Sequence, residues 1–305
     1  MASHFLSIND LSDAELLGVL DTADAYHRGT QEGQPLSGKS VAMLFEKPSL
    51  RTKVSFDVAA HELGGHAVFL SQAEVGLDTR ETIEDVAHVL ERWAALIVAR
   101  VNDHRTLERL AGSSSIPVIN ALSNVEHPCQ ALADLLTVRQ HLGGLEGVHV
   151  AYVGDANNCA LSLALGCAAT GASFVIASPE GYGFNGQTIE RIDARGRARG
   201  RVVRTTTDPG EAVGGADVVY TDVWTSMGQE AEAKERRKAF ASFQVNDAVL
   251  RQAKPGALMM HPMPAHYGEE VPEGMLDHPQ SVAFDQAENR LHAQKALLGF
   301  LAGSP

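Results

Sequence analysis

Short apolar runs separated by longer amphipathic stretches set the pattern of the first half of the chain. VAMLF (41–45), HAVFL (66–70), ALIVAR (95–100) and PVINAL (117–122) are continuous rather than alternating, as strands covered on both faces are. Between them, SLRTKVSFDVAAHELGG (49–65) and TIEDVAHVLERW (82–93) carry apolar residues at helical spacing, the first stopped by a Gly pair. A helix is also predicted over 8–28, opened by Asn9 and Asp10. Strand alternating with helix points to a parallel sheet with helices on both sides.

HPCQALADLLTVRQHLGG (127–144) reads as a long helix ended by Gly143 and Gly144, after which the alternation restarts. Strands are predicted at 148–155, 173–179, 202–206, 216–224, 257–263 and 282–285, with helices at 158–170, 186–199 and 289–303. The fold class that follows is α/β, with two doubly wound parallel-sheet domains joined by the 127–144 helix and the C-terminal helix packing back on the first domain. The expected domains are 1–135 together with 289–305, and 145–288.

Length agrees, since 305 residues exceed one typical core and suggest two domains of about 150 residues. Apolar residues at 44% and charged residues at 21% argue against disorder and coiled coils. No apolar run reaches the ~20 residues a membrane span needs. The N-terminal stretch lacks a basic start followed by an apolar core, so a cytoplasmic rather than secreted protein is expected. Cys129, Cys159 and Cys167 cannot all pair and fit no zinc spacing, so free thiols are expected. A net charge of −13 disfavours nucleic acid or an anionic membrane as partner. A small anion would need a local basic pocket.

Ligands in open α/β sheets sit beyond the carboxyl ends of the strands. After VAMLF come Ser49, Arg51 and Thr52, where a helix begins, so hydroxyls, a guanidinium and free backbone N–H groups converge. The same residues also suit a Ser N-cap beside a solvated Arg. Arg100 ends the third strand, where a surface charge is the usual reading. His127 and Gln130 lie one helical turn apart and can face one spot, although a cap or a buried, satisfied histidine is the reading normally favoured for His127. In the second half GDANN (154–158) opens a helix after a strand but lacks the GxGxxG glycines, against a dinucleotide-dependent oxidoreductase. Asp222 ends a strand before a Ser-Met-Gly turn. A carboxylate with nearby backbone donors suits an amino-acid substrate, and a helix cap is the alternative. HPMPAHYGEE (261–270) is a rigid turn that presents backbone carbonyls, and Arg290 follows near a helix start.

Taken in order, SLRT (49–52), HPCQ (127–130), GDANN (154–158), DVWTSMGQE (222–230), HPMPAH (261–266) and AENRLHAQKA (287–296) resemble the aspartate/ornithine carbamoyltransferase family along essentially the whole chain. The DVWTSMGQE segment resembles the ornithine branch. The resemblance implies that Ser49, the Leu50 backbone, Arg51 and Thr52 hold the phosphate of carbamoyl phosphate. It places Arg100 and His127 at the carbonyl oxygen. Gln130 and the carbonyls of Pro262 and Met263 would sit at the carbamoyl NH2, with Arg290 completing the pocket. Arg100, His127 and Thr52 would be the catalytic groups. Asn158, Asp222, Ser226 and Met227 match positions that hold ornithine. Donors aimed at a developing oxyanion suit such a transfer. No metal, cofactor or covalent nucleophile is implied. A homotrimer, or a multiple of trimers, with the 71–81 loop lent to a neighbour is implied too.

Three positions depart from the family pattern. Leu50 stands where Thr is usual, Glu74 where a Gln or similar residue is lent by the neighbour, and Pro262 where the ornithine branch carries Cys. The turn around Pro262 implies a cis Met263–Pro264 bond. Competing readings are a carbamoyltransferase for aspartate, putrescine or an acylated ornithine, and a non-catalytic α/β ligand-binding relative.

Overall fold

The computed structural model describes residues 4–200, 202–226 and 228–303. The chain divides into two compact units, Met1–Leu136 with Glu288–Pro305, and Thr137–Ala287.

Unit 1 contains α1 (Asp13–His27), β1 (Ser40–Phe45), α2 (Leu50–Glu62), β2 (His66–Ser71), α3 (Gln72–Val75), α4 (Ile83–Leu90), β3 (Leu96–Arg100), α5 (His104–Gly112) and β4 (Val118–Leu122). The four strands are parallel in the order β2-β1-β3-β4. The order reverses direction between β1 and β3, a switch point of the doubly wound kind. β3 is buried at every residue, as its continuous apolar run demands. β2 is a half-exposed edge, whereas β4 is flanked by the N-terminal segment, with Phe5 bridging Ile119. One core fills the sheet face around Ala42, Leu44, Ile97, Ala99, Val86 and Leu107.

The helix expected over 8–28 begins later. Ile8–Asp10 form a single 3-10 turn, and α1 starts at Asp13 because Ser12 and Glu15 build a reciprocal capping box. α6 (Pro128–Leu142) begins in unit 1 and ends in unit 2.

Unit 2 continues with β5 (His149–Val153), α7 (Asn158–Thr170), β6 (Ser173–Ala177), α8 (Gly186–Gly196), β7 (Arg204–Thr206), α9 (Pro209–Val213), β8 (Val218–Thr221), α10 (Ala233–Ala239), α11 (Asp247–Leu250) and β9 (Leu258–Met260). Its parallel sheet runs β7-β6-β5-β8-β9, with the switch point between β5 and β8. α7 is buried along almost its whole length, capped by Asn157 and closed by Gly171 in the left-handed region at φ 84°. Trp224, Phe240, Phe243 and Met259 anchor the core.

The strand expected at 282–285 is absent. Val282 gives one N–H to Met259 O and Ser281 makes an isolated bridge, and then α12 runs from Ala283 to Ala302. A single bridging residue cannot sustain a strand against a following run of good helix formers. From Glu288 onward α12 belongs to unit 1, so two helices, α6 and α12, link the units covalently. Among the described residues no helix is long and apolar enough to cross a membrane. All three cysteines are free and buried.

Candidate active site

The switch point of unit 1 carries the first cluster. β1 runs into the N-terminus of α2, where the Ser49 side chain accepts the Thr52 N–H at 3.3 Å, so the capping reading of Ser49 is realised. At the end of β3 the pairing with β4 shifts between Ala99 and Arg100, giving Ala99 the partner Asn120 and Arg100 the partner Leu122. Such a bulge re-aims the side chain that follows it. Arg100 is accordingly buried rather than a surface charge, with Nη1 3.5 Å from Thr52 Oγ1.

Arg290 enters the same cluster from α12. Its Nη2 donates to Thr52 Oγ1 at 2.7 Å and its Nη1 to Gln130 Oε1 at 2.9 Å. Gln130 also donates to Asp134 Oδ1 at 2.8 Å, so the amide is oriented from both ends. His127, at the start of α6, is buried. Its pKa is held well below the usual histidine range, chiefly by burial and then by the charges of Arg290, Arg100 and Arg51. A neutral imidazole therefore sits within reach of three guanidiniums. Thr52, Arg100, His127, Gln130 and Arg290 come together; Ser49 and Arg51 adjoin them at the head of α2, and Leu50 is exposed.

Cys129 lies beside this cluster but is chemically quiet, since burial pushes its thiol up to about 12 and its Sγ is 3.3 Å from Asn120 O. Glu74 is turned onto its own loop, where its carboxylate accepts from Ser71 N at 2.7 Å and Ser71 Oγ at 2.6 Å. Those bonds, more than the charge of Lys53, lower its pKa.

The switch point of unit 2 carries the second cluster. Gly154, at φ 148°, makes the turn after β5, and its carbonyl accepts from Ser178 Oγ at 2.6 Å. The turn delivers Asp155 and Asn157. Asn157 caps α7 with its oxygen and donates its NH2 to Asp222 Oδ2 at 2.8 Å. Asn158, the first residue of α7, adjoins this pair. Ser226 gives its N–H to Gln229 Oε1 at 3.0 Å. Met227 lies outside the described residues.

The turn after β9 has the cis Met263–Pro264 bond that its sequence implied. Met263 adopts φ 54°, a left-handed conformation that costs a non-glycine residue roughly 1–2 kcal/mol. His261 supports it by accepting the Met263 N–H on Nδ1 at 2.9 Å. The His261 Nε2–H therefore points to Glu270 Oε1, 3.0 Å away, and both side chains are wholly buried.

Sequence reasoning passed over Asn157, His261, Glu270 and the buried pair Asp155–Arg236, in which Arg236 Nη1 reaches Asp155 Oδ2 at 2.9 Å and Trp224 O at 3.0 Å. A His and a Glu bracketing the prolines of HPMPAHYGEE were a usable signal; the 81-residue separation of Asp155 and Arg236 left none.

Each of the two parallel-sheet α/β domains carries a polar cluster at its switch point, cations in one and carboxylates in the other, where ligands of open α/β sheets bind. The chain belongs to the aspartate/ornithine carbamoyltransferase family. The family's carbamoyl-P binding domain matches residues 3–140, and its Asp/Orn binding domain matches 146–301. The chain is 50% identical over 302 residues to the ornithine carbamoyltransferase of Acidothermus cellulolyticus, covering 99% of this chain and 97% of that one. It is 48% identical over 301 residues to the anabolic ornithine carbamoyltransferase of Pyrococcus furiosus, covering 98% and 96%. The solved ornithine carbamoyltransferase structure from P. furiosus superposes with a TM-score of 0.95 at 46% identity, covering 100% and 98%.

Proposed function

We propose that this chain is an enzyme that transfers the carbamoyl group of carbamoyl phosphate to the δ-amine of L-ornithine, giving L-citrulline and phosphate. The observation that carries the reading is the convergence of Arg51, Arg100 and Arg290 on the neutral, buried His127. A dianionic phosphate is the ligand such a cluster suits, and its charge offsets the cost of gathering like charges. In this reading Ser49, the Leu50 N–H, Arg51 and Thr52 hold the phosphate. Arg100 and His127 meet the carbonyl oxygen, and Thr52 adds its hydroxyl. Gln130 and Arg290 orient the carbamoyl group, with the carbonyls of Pro262 and Met263 at its NH2.

The chemistry needs little more. A neutral amine attacks the carbonyl carbon, negative charge grows on oxygen, and the C–O bond to phosphate breaks. Fixed donors at the oxygen stabilise that charge without reorganising. A neutral His127 serves as a hydrogen-bond donor there and does not add a fourth positive charge. In this reading Asp222, steadied by Asn157, would meet the α-ammonium of the acceptor, together with Asn158, Ser226 and Met227. Ornithine's δ-amine is mostly protonated in water, so the site must favour the neutral form by desolvation.

An acylated ornithine or aspartate as acceptor is the second reading, favoured by Pro262 standing where the ornithine branch carries Cys. We further infer a role in arginine biosynthesis in the cytoplasm, and a trimer or a multiple of trimers. Exposed Leu50 and Val54 on α2 and Val68 on β2 support an assembly, since a second copy would cover them. One experiment separates the readings: incubation with carbamoyl phosphate and a panel of amines, with the carbamoylated product identified by mass. Citrulline as the dominant product is expected. Carbamoylaspartate, carbamoylputrescine or an acylcitrulline in its place would overturn the acceptor assignment, and no product at all would overturn the enzyme.

A further inference from the structure

α12 presents two faces with different chemistry. Arg290 points to Thr52 and Gln130 in the donor cluster. Glu288 and His292 lie two residues to either side of it, one helical turn apart, and each residue turns a helix by about 100°, so they share the opposite face. There they meet His27, the last residue of α1. The rings of His27 and His292 pack edge to face with centroids 5.1 Å apart. His292 Nε2 is 3.8 Å from Glu288 Oε1. One ligand atom from each of the three residues lies within 4.8 Å of the others.

We propose that His27, Glu288 and His292 form a binding site for a divalent transition-metal ion, with Zn2+ the best match, that clamps α12 to the end of α1. Two imidazoles and one carboxylate are a borderline-soft donor set that zinc accepts, leaving a fourth position for water. Zinc–ligand bonds of about 2.0–2.2 Å put neighbouring donor atoms about 3.4 Å apart. The three groups thus need to draw in by no more than about 1.4 Å, within the swing of the exposed His27 and Glu288 side chains. His27 also stands at the C-terminal end of α1, where the helix dipole favours a cation.

The neighbouring cations are each paired with a carboxylate, although the charge of Lys295 still reaches His292. Lys295 Nζ is held by Glu62 at 2.6 Å, and Arg28 pairs with Asp24. A second cluster of the same size, His266, Glu269 and Glu270, is differently placed. There Glu269 is bound by Arg237 at 2.7 Å, and Glu270 by His261 at 3.0 Å and by the His266 N–H at 2.6 Å. Its carboxylates are already committed. The site on α12 does not depend on carbamoyl transfer.

The test is calorimetric titration of the full chain with zinc chloride at neutral pH, beside melting curves with and without the metal. The parent should bind one tight Zn2+ that His27→Gln or Glu288→Gln weakens at least tenfold, while His266→Gln leaves it intact. Zinc at about 100 times its Kd should shift the parent's folding equilibrium about 100-fold toward the native state and shift the two variants by no more than about 11-fold. Both changed residues are exposed, so metal-free melting should match the parent and show that the variants fold. Equal affinity in parent and variants, loss with His266→Gln, or no binding tighter than about 100 µM would each overturn the site.

Discussion

Replacing Arg236 by methionine should destabilise unit 2 by about 3–5 kcal/mol at neutral pH, the range expected when one partner of a buried ion pair is removed. The Arg236 and Asp155 side chains are 7% and 11% exposed and 2.9 Å apart, so the abandoned carboxylate cannot simply rehydrate. Glu232 also meets Arg236, at 3.0 Å, but is 57% exposed and adds little. Methionine keeps an unbranched chain of similar reach against the Tyr182 ring, which the guanidinium overlies at 5.1 Å. What is lost is the charge and its hydrogen bonds to Asp155 and the Trp224 carbonyl.

Burial already raises the Asp155 pKa, and Arg236 is the first influence opposing that rise. Without it the carboxyl would rise further. A carboxyl whose folded pKa lies above its unfolded value costs stability above the folded pKa, and the cost fades as pH falls through that value. The deficit of Arg236→Met should therefore be largest near pH 7.5 and shrink toward pH 5. At about 2–4 °C per kcal/mol, melting should drop by about 6–20 °C at the higher pH. Adding Asp155→Asn should recover much of the loss by removing the stranded charge. Arg236 also holds the Trp224 carbonyl, two residues before Ser226, so the variant should raise the KM for ornithine more than that for carbamoyl phosphate. The reasoning is refuted if Arg236→Met melts within about 2 °C of the parent at pH 7.5, or if Asp155→Asn recovers nothing.

Arg51→Ala should weaken carbamoyl phosphate binding about 100-fold or more, the cost of losing a bidentate charged contact; an unchanged donor KM would remove Arg51 from the site. His127 resists protonation in the folded protein, while an unfolded histidine takes up a proton below about pH 6.5. Stability should thus fall by up to about 1.4 kcal/mol per pH unit on acidification from this group, and His127→Gln should show a shallower acid slope in melting temperature. Parallel slopes would contradict it. Pro262→Cys should lower the KM for ornithine more than that for carbamoyl phosphate; if ornithine kinetics do not move and another amine is preferred, the acceptor assignment fails while carbamoyl transfer stands.

Much of this arrangement could be read before folding, for a physical reason. Strands buried on both faces, such as β3 and β8, have no solvent side, so their apolar runs are unbroken and stand out. The strand-end rule then singled out Asp222 but left Arg100 as a surface charge, and only the family resemblance drew Arg100 into the site. Short elements were opaque. α5 escaped notice although Asp103 caps it, and α9, α10 and α11 are held by tertiary packing more than by periodicity. The β4 bulge that turns Arg100 inward depends on register between strands, which no local pattern records. Supporting residues were harder still. Asn157 and Asn158 are adjacent and alike, and only the geometry shows which one braces Asp222.

On the proposed function, the two clusters would let a chain of net charge −13 serve an anion and a diamine together. Both units are net negative, so the charge that matters is local, gathered at the two switch points. Unit 1 gathers Arg51, Arg100 and Arg290 around a histidine that their presence, after burial, keeps neutral. Unit 2 buries Asp155, Asp222 and Glu270, and gives each a hydrogen-bonding partner, from Arg236, Asn157 and His261 in turn. Those partners differ in what they leave behind. Arg236 cancels the charge of Asp155, whereas Asn157 is neutral and leaves Asp222 able to attract an ammonium group. A neutral donor beside the acceptor carboxylate is thus what selection for a cationic substrate requires. An arginine at position 157 would cancel the charge of Asp222 and repel the ligand that the site is proposed to hold, besides removing the oxygen that caps α7.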